Sequence, residues 1–254
     1  MKVSLKRKID YVEVDSKFII TLHSLVRILQ EATIKHFQKV GVPKPQVNDG
    51  SVWILYQFGI EVLQWALYEE NIEIVTWHRG TKGYKVYREF EVYSGKEKIA
   101  TASAVYLYYD LKNQKITKIP EDINTIYSVE DEVVFKEDLA LWKPVPRVNQ
   151  EFQVSITTRL SDFDPMEHVN NSVYFDYIET MLFSYWNMEK KISKIKIQYT
   201  KEINKSVKIL KAGISEDGAG YQFKLFDREK IFAFGEIEIK EIDLSKVRPI
   251  SSII

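Results

Sequence analysis

Apolar residues fall at helical spacing in two stretches, each set among longer strand-like runs, and the order of elements they predict occurs twice. From Ser24 to Val40, the residues Leu25, Ile28, Leu29, Ala32, His36 and Phe37 share one helical face, after a strand-like Ser4 to Val14. Gly41 and Pro43 end that helix. Three regions rich in Val, Ile, Tyr and Phe follow, Ser51 to Leu67, Ile72 to Ser94 and Lys98 to Leu111, punctuated by Gly80, Gly83 and Gly95. The second pass predicts a strand Glu151 to Leu160 and a helix Asn171 to Met188. Strands near Ile192 to Thr200, Ser206 to Ile214, Tyr221 to Phe226 and Ile231 to Ile242 complete it.

Between the two passes, Asp122 to Pro146 is acidic and then proline-marked, and reads as a crossover linker. The expected organisation is a repeat over 1–122, a linker over 123–146 and a second repeat over 147–254. A long helix against a mostly antiparallel sheet is a two-layer α+β arrangement, and its interface can open into an elongated apolar slot suited to an alkyl chain. Candidates to line it in the first half are Trp53, Tyr56, Phe58, Trp65, Trp77, Tyr84, Tyr87 and Phe90, although aromatics of this kind most often pack strands in a core. Matching Leu29-Gln-Glu-Ala32 to Tyr177-Ile-Glu-Thr180 sets Ser16 opposite Asp164 and Ile20 opposite His168, so the first half is expected to lack the polar set. Glu31 and Glu179 then share a helix position and a structural role.

Composition removes whole classes of chemistry. The 254 residues contain no cysteine, which excludes disulfides, thiolate metal sites and a cysteine nucleophile. The four histidines, His23, His36, His78 and His168, have no metal-ligand spacing, and no metal or other cofactor is expected. Zero formal net charge and the absence of glycine-rich phosphate loops argue against nucleic acid and nucleotide. No apolar run is long enough for a signal peptide or a membrane span, so a cytoplasmic protein without membrane insertion is expected.

The chemistry concentrates in Ser161-Asp-Phe-Asp-Pro-Met-Glu-His-Val-Asn-Asn-Ser-Val-Tyr-Phe-Asp-Tyr-Ile-Glu179. Asp164-Pro165 forces a turn, and Asp and Asn residues ahead of an apolar helical run mark a helix start. Free backbone N–H groups and the positive end of the helix dipole there can hold an oxygen that becomes negative, as an acyl carbonyl does under attack. Taken singly, Asp164 and Asn170 read first as ordinary caps and His168 as a satisfied histidine at a loop.

The whole string, Asp-x-Asp-x-x-x-His-x-Asn-Asn-x-x-Tyr-x-x-Tyr-x-Glu, resembles the signature of hot-dog-fold thioesterases. Over nearly its full length the chain is similar to acyl-acyl carrier protein (acyl-ACP) thioesterases. Leu29-Gln-Glu-Ala-Thr33, the Trp53 strand, Ala100-Thr-Ala-Ser103, Lys118-Ile-Pro-Glu121 and Tyr199-Thr-Lys-Glu202 extend the likeness. The resemblance implies a tandem (double) hot-dog fold, with acyl-chain binding in the N-terminal repeat and catalysis in the C-terminal one. It also implies hydrolysis of fatty acyl-carrier protein to free fatty acid and carrier protein, terminating fatty acid synthesis. An acyl-CoA thioesterase and a non-catalytic acyl-binding protein are the alternatives.

Carried over by position, Asp164 matches the family's catalytic Asp, His168 its His, and Glu202 a Glu associated with activating water. The chain departs from plant members at Met166, where they carry Asn, and at Ile203, where they carry Cys. Direct hydrolysis remains, with Glu202 as general base on water, His168 bonding water or the departing thiol, and Asp164 orienting His168. The rival assignment makes Asp164 itself the base or nucleophile. Backbone N–H groups of Val169, Asn170 and Asn171 are the expected oxyanion donors, each such donor typically contributing about 2.7–4 kcal/mol.

The expected partner is acyl carrier protein with its phosphopantetheine-linked acyl chain. Between Met181 and Lys211, eight lysines stand against Glu189 and Glu202. Of these, Lys190, Lys191, Lys194, Lys196 and Lys201 are candidates for docking an acidic carrier, against the simpler reading of a solvated lysine-rich face. A homodimer of the whole chain stays open, because the tandem repeat already imitates a hot-dog dimer.

Overall fold

The computed structural model describes residues 1–41, 50–126, 128–146, 151–186, 190–218 and 220–241. Pro43, Met188 and Ile242, expected at element ends, lie outside them. The described residues form one antiparallel sheet in the order β1-β3-β4-β5-β2-β8-β11-β10-β9-β7, with a short β6 (Lys115–Ile116) on β5. The first half contributes β1 (Val3–Lys8), β2 (Ser51–Val62), β3 (Asn71–Lys82), β4 (Lys85–Ser94) and β5 (Glu97–Asp110). The second contributes β7 (Phe152–Thr157), β8 (Lys190–Tyr199), β9 (Ile209–Asp217), β10 (Gly220–Asp227) and β11 (Lys230–Glu241).

Two long helices lie inside this sheet, α1 (Leu22–Val40) and α3 (Val173–Trp186). Thr21 caps α1, its side chain accepting the Ser24 N–H, and Gly41 ends it in the left-handed conformation at φ 74°. The helices bury Ile28, Leu29, Phe175 and Ile178 against strand residues such as Ile60, Ile74, Phe90, Ile195 and Ile214. Phe58 and Phe175 meet edge to face across the halves at 5.7 Å. Each fully buried aliphatic or aromatic side chain of this kind contributes roughly 1.5–3 kcal/mol. Two helices, each wrapped by antiparallel strands, make the tandem hot-dog arrangement.

The halves join at β2 and β8, and the pairing there is symmetric about Gly59↔Lys196. Phe58↔Ile197 is mirrored by Ile60↔Ile195, and Gln57↔Gln198 by Glu61↔Lys194. Even the bulges correspond, with Tyr56 extra in β2 against β5 and Ser193 extra in β8 against β11. A pseudo-twofold axis therefore passes through the centre of the sheet.

The same symmetry governs the loops before the helices. Single 3-10 turns at Tyr11–Glu13 and Leu160–Asp162 are followed by matching bridges, Val14↔Ile20 and Phe163↔Val169. Phe18 and Glu167 take the same positive φ, 59° and 63°. This corrects the expected alignment by one residue. Asp15, not Ser16, corresponds to Asp164; Ile19, not Ile20, to His168; and Thr21 to Asn170. The burial patterns of the helices continue in the same register, so Glu179 corresponds to Gln30 and not to Glu31, which is exposed and pairs with Arg7 and Lys35. The first half also keeps an acidic pair, Glu13 and Asp15, but has Ile19 in place of the histidine and Thr21 and Leu22 in place of the two asparagines.

Other elements differ in extent. The predicted strand Ser4 to Val14 stops at Lys8 because Asp10 and Glu13 form a reciprocal capping box around the 3-10 turn, with Tyr11 N–H on Asp10 and Asp10 N–H on Glu13, each at 2.9 Å. Ile72 to Ser94 is two strands, with Gly83 at φ 65° in the turn between them.

The stretch read as a linker is more than a connection. After a short α2 (Glu121–Ile126), residues 128–146 run as a strap over the outer face of the sheet. Phe135 and Leu139 are buried against Tyr87 and Val105. A Cβ on Gly59 would stand 2.8 Å from the Phe135 ring, so only glycine lets the strap lie this close. Glu137 bonds both Lys194 and Lys196 of β8, and Trp142 Nε1 donates to Glu236 of β11 at 3.1 Å. The strap thus binds both halves.

Candidate active site

A cleft of 330 Å³ opens at the N-terminus of α3, where the two halves meet. Asp164, Met166, His168, Val169, Asn171, Tyr174, Tyr199 and the Thr200–Glu202 turn form one side, and Val52 to Leu55, Tyr109 and Leu111 of the first half form the other. Of the eight aromatics proposed to line a slot, only Trp53 borders this cleft. Phe58 and Phe90 are core, Tyr56 and Tyr87 pack near the strap, Tyr84 is exposed, and Trp77 donates through Nε1 to the strap carbonyl of Glu132. Sequence patterning did not single out Tyr109, Leu111 or Lys201 as lining residues, because strand ends carry no periodic signal.

The loop that carries the motif is fixed by its own backbone. Asp164 Oδ1 accepts from Met166 N–H at 2.8 Å and from His168 N–H at 3.4 Å, closing a tight turn in which Asp164 N–H also donates to His168 O at 2.9 Å. Asp164 therefore meets His168 through the backbone of the turn. Its other carboxylate oxygen has no hydrogen-bond partner among the described residues. The imidazole instead meets Glu202, with His168 Nε2 3.3 Å from Glu202 Oε2. A β-bridge between His168 and Asn204, and a 2.8 Å bond from Val169 N–H to Ile203 O, hold the two segments in this relation. The Ile203 side chain is buried, and its carbonyl is what ties the two segments together. Both Glu202 and His168 reach solvent, with side chains 60% and 33% exposed, so a water can stand beside them.

Two of the three expected oxyanion donors are already engaged. Val169 N–H bonds Ile203 O, and Asn170 N–H bonds Asp162 O at 2.9 Å. Asn170 Oδ1 accepts from Ser172 N–H and Oγ, each at 2.9 Å, which makes Asn170 the cap of the helix entrance. The remaining N–H, that of Asn171, has no acceptor among the described residues and lies on the cleft. Tyr199, buried and edge-on to Tyr174 at 5.1 Å, donates to Asn171 O at 3.2 Å and steadies that peptide. Burial raises the pKa of both tyrosines, so they are neutral donors at any ordinary pH.

The pseudo-twofold counterpart of this cleft is closed. Leu63 and Gln64 N–H groups bond Ile99 O as Thr200 and Lys201 bond Phe232 O, which sets Trp65 in the place of Glu202. By the β2–β8 symmetry Lys191 takes the place of Ile54, and its ammonium pairs with Asp15 at 2.7 Å, 5.0 Å from the Trp65 ring. Glu179 reaches from α3 to the start of α1, accepting from Leu22 N–H at 2.9 Å and His23 N–H at 3.1 Å.

The five candidate docking lysines do not form one free face. Lys191 is spent on Asp15, and Lys194 and Lys196 are buried by Glu137, Glu236 and Glu238. Lys190 starts β8 and lies over Trp186, at the far end of the strand from the cleft. Lys201 alone is exposed on the cleft rim. Strand alternation could not reveal this, because the acids that cover Lys194 and Lys196 come from the strap and from β11. Glu189 lies outside the described residues.

A tandem hot-dog with a cleft of Asp, His and Glu at one of its two related helix starts is the class that fold and geometry define. A family model described as the acyl-ACP thioesterase N-terminal domain matches residues 2–127, and one described as the acyl-ACP thioesterase C-terminal domain matches residues 146–242. The chain belongs to the acyl-ACP thioesterase family. It is 22% identical, over 175 residues and 62% of its length, to the chloroplastic acyl-[acyl-carrier-protein] hydrolase FATB3 of Cuphea viscosissima; the match spans 41% of that relative's length. Among solved structures it is similar to a 12:0-ACP thioesterase from Umbellularia californica, with a TM-score of 0.84, 17% identity, and coverage of 95% of this chain and 98% of that one. An acyl-ACP thioesterase from Bacteroides thetaiotaomicron gives a TM-score of 0.82 at 17% identity, covering 94% and 98%. Among the described residues no helix is long and apolar enough to cross a membrane.

Proposed function

We propose that the protein hydrolyses the thioester of fatty acyl-carrier protein, releasing free fatty acid and carrier protein. The observation that carries this reading is the convergence of Asp164, His168, Glu202 and the unengaged Asn171 N–H on one cleft. Family membership and the relatives named for this activity support it. In the reaction, the thioester carbonyl sits at the start of α3, where Asn171 N–H and the helix dipole meet the developing oxyanion. Glu202 takes a proton from water as the water attacks, and His168, bonded to Glu202, protonates the departing thiolate of the phosphopantetheine arm. Asp164 holds the turn that sets His168 in place and leaves one oxygen for water. Val52 to Leu55, Tyr109 and Leu111 offer the acyl chain an apolar wall from the first half. Lys201 on the rim is the docking contact for an acidic carrier.

The test is thiol release from matched acyl-carrier-protein and acyl-CoA thioesters by the wild type and Asp164→Asn. Release from the carrier series, lost in the variant, is the expected result. Preference for acyl-CoA would transfer the reading to a CoA thioesterase, and acyl binding without release would overturn hydrolysis.

A further inference from the structure

The pseudo-twofold relates a contact that the structure displays at the closed site to one it implies at the open site. At the closed site, Glu179 of α3 crosses to the start of α1 and its carboxylate binds the N–H groups of Leu22 and His23. The counterparts of Leu22 and His23 are Asn171 and Ser172, and the counterpart of Glu179 is Gln30. Three features support that correspondence: the paired bridges of the two loops, their shared positive-φ residues, and the closely similar burial sequence along the helices, in which Gln30 and Glu179 are both half-buried. By the symmetry, Gln30 stands on α1 where Glu179 stands on α3, the position from which a side chain of this length reaches the first turn of the other helix. Gln30 is half-buried and forms no hydrogen bond among the described residues, so its amide is available.

We infer that Gln30 is a catalytic residue of the open site, its side-chain N–H donating to the thioester carbonyl oxygen as a second oxyanion donor beside the Asn171 N–H. The inference rests on the thioesterase reading and deepens it.

The chemical difference between the two sites agrees with this role. A carboxylate at the start of a helix fills the N–H groups with its own negative oxygens, and at the closed site Glu179 does so. An amide of the same length leaves the Asn171 N–H free and adds a donor. At the open site Ser172 N–H is taken by Asn170 Oδ1, so the oxyanion would find two donors, one from each half of the chain. The first half would then contribute to the chemistry as well as to acyl binding.

The decisive comparison is Gln30→Ala, Gln30→Glu and Asp164→Asn, each assayed for kcat, KM and melting temperature on one acyl-carrier-protein substrate. For Gln30→Ala, kcat is expected to fall about 100-fold with KM changed less than threefold and the melting temperature retained. Gln30→Glu should be slower still at pH 8, because its carboxylate occupies the Asn171 N–H and repels the oxyanion, and should recover at least tenfold as the pH falls to 5.5, when plotted relative to the wild type. Turnover within threefold of wild type in both Gln30 variants, with Asp164→Asn inactive, would overturn the inference and leave the thioesterase reading intact. A wild type that releases no thiol would overturn both.

Discussion

The Tyr177 hydroxyl donates to Asp162 across 2.6 Å, inside the motif and wholly out of solvent. Asp162 also accepts from Arg159 N–H at 2.7 Å and Arg159 Nε at 2.9 Å. The first acid of the Asp-x-Asp pair is therefore a brace for the loop, and burial together with the Asp162 carboxylate pushes the Tyr177 hydroxyl pKa far up. Asp162→Ala strands a buried hydroxyl and a backbone N–H and should cost about 3 kcal/mol. Urea unfolding measures this, and an unchanged midpoint would deny the brace.

The second acid behaves differently. Asp164→Asn keeps an oxygen to accept the Met166 N–H, so the turn and the melting temperature should persist while turnover falls by two orders of magnitude or more, roughly the value of a lost acid–base group. His168→Ala should do the same. Near-normal thiol release by either folded variant would remove that residue from the site.

Glu202→Gln separates the two candidate bases. If Glu202 takes the proton from water, kcat drops about 10²–10⁴-fold with little change in KM. Retained turnover would pass the role to Asp164, whose second oxygen meets no donor among the described residues.

Lysines at opposite ends of the charge range should answer to different assays. Lys201→Glu on the exposed rim should raise KM for acyl-carrier protein, most at low salt, and leave a small thioester substrate unaffected. Lys194→Glu, placed against Glu137 and Glu238, should lower the melting temperature instead. Equal KM effects from the two would favour a broad docking face over the rim.

The strap should respond to pH through Glu89. This fully buried carboxyl is pushed up to about 7 by burial, against the opposing pull of Ser103, Arg79 and the strap N–H groups of Val134 and Phe135. The folded protein then holds a proton that the unfolded chain releases near 4.5. Its contribution to stability is full below pH 4.5 and is lost as the pH rises to about 7. Denaturant titrations across that window should show the slope in the wild type and not in Glu89→Gln; parallel curves would place the proton elsewhere.

Much of this was legible in the chain because helices and strands each repeat their apolar pattern with a fixed period, and because the motif from Asp162 to Glu179 is continuous. The one-residue slip between the halves arose from matching Glu31 to Glu179 by identity. Burial, which the sequence does not display, pairs Glu179 with Gln30. The strap's second role was hidden for a similar reason, since Phe135, Glu137 and Trp142 find their partners on strands remote in sequence. Lys191 shows the limit most plainly. In the string Lys190-Lys191 it looks like surface charge, and only the fold brings it to Asp15.

That lysine has a consequence for how such a molecule can change. In an assembly of two identical chains, every substitution is made at both ends of the axis, and a buried ammonium against one aspartate would stand against the other aspartate as well. Joining the two copies in one polypeptide, with residues 128–146 laid across both, frees the ends from each other. Lys191 can then neutralise Asp15 while Ile54 stays apolar beside Asp164. One end can harden into scaffold without any loss of polar groups at the other.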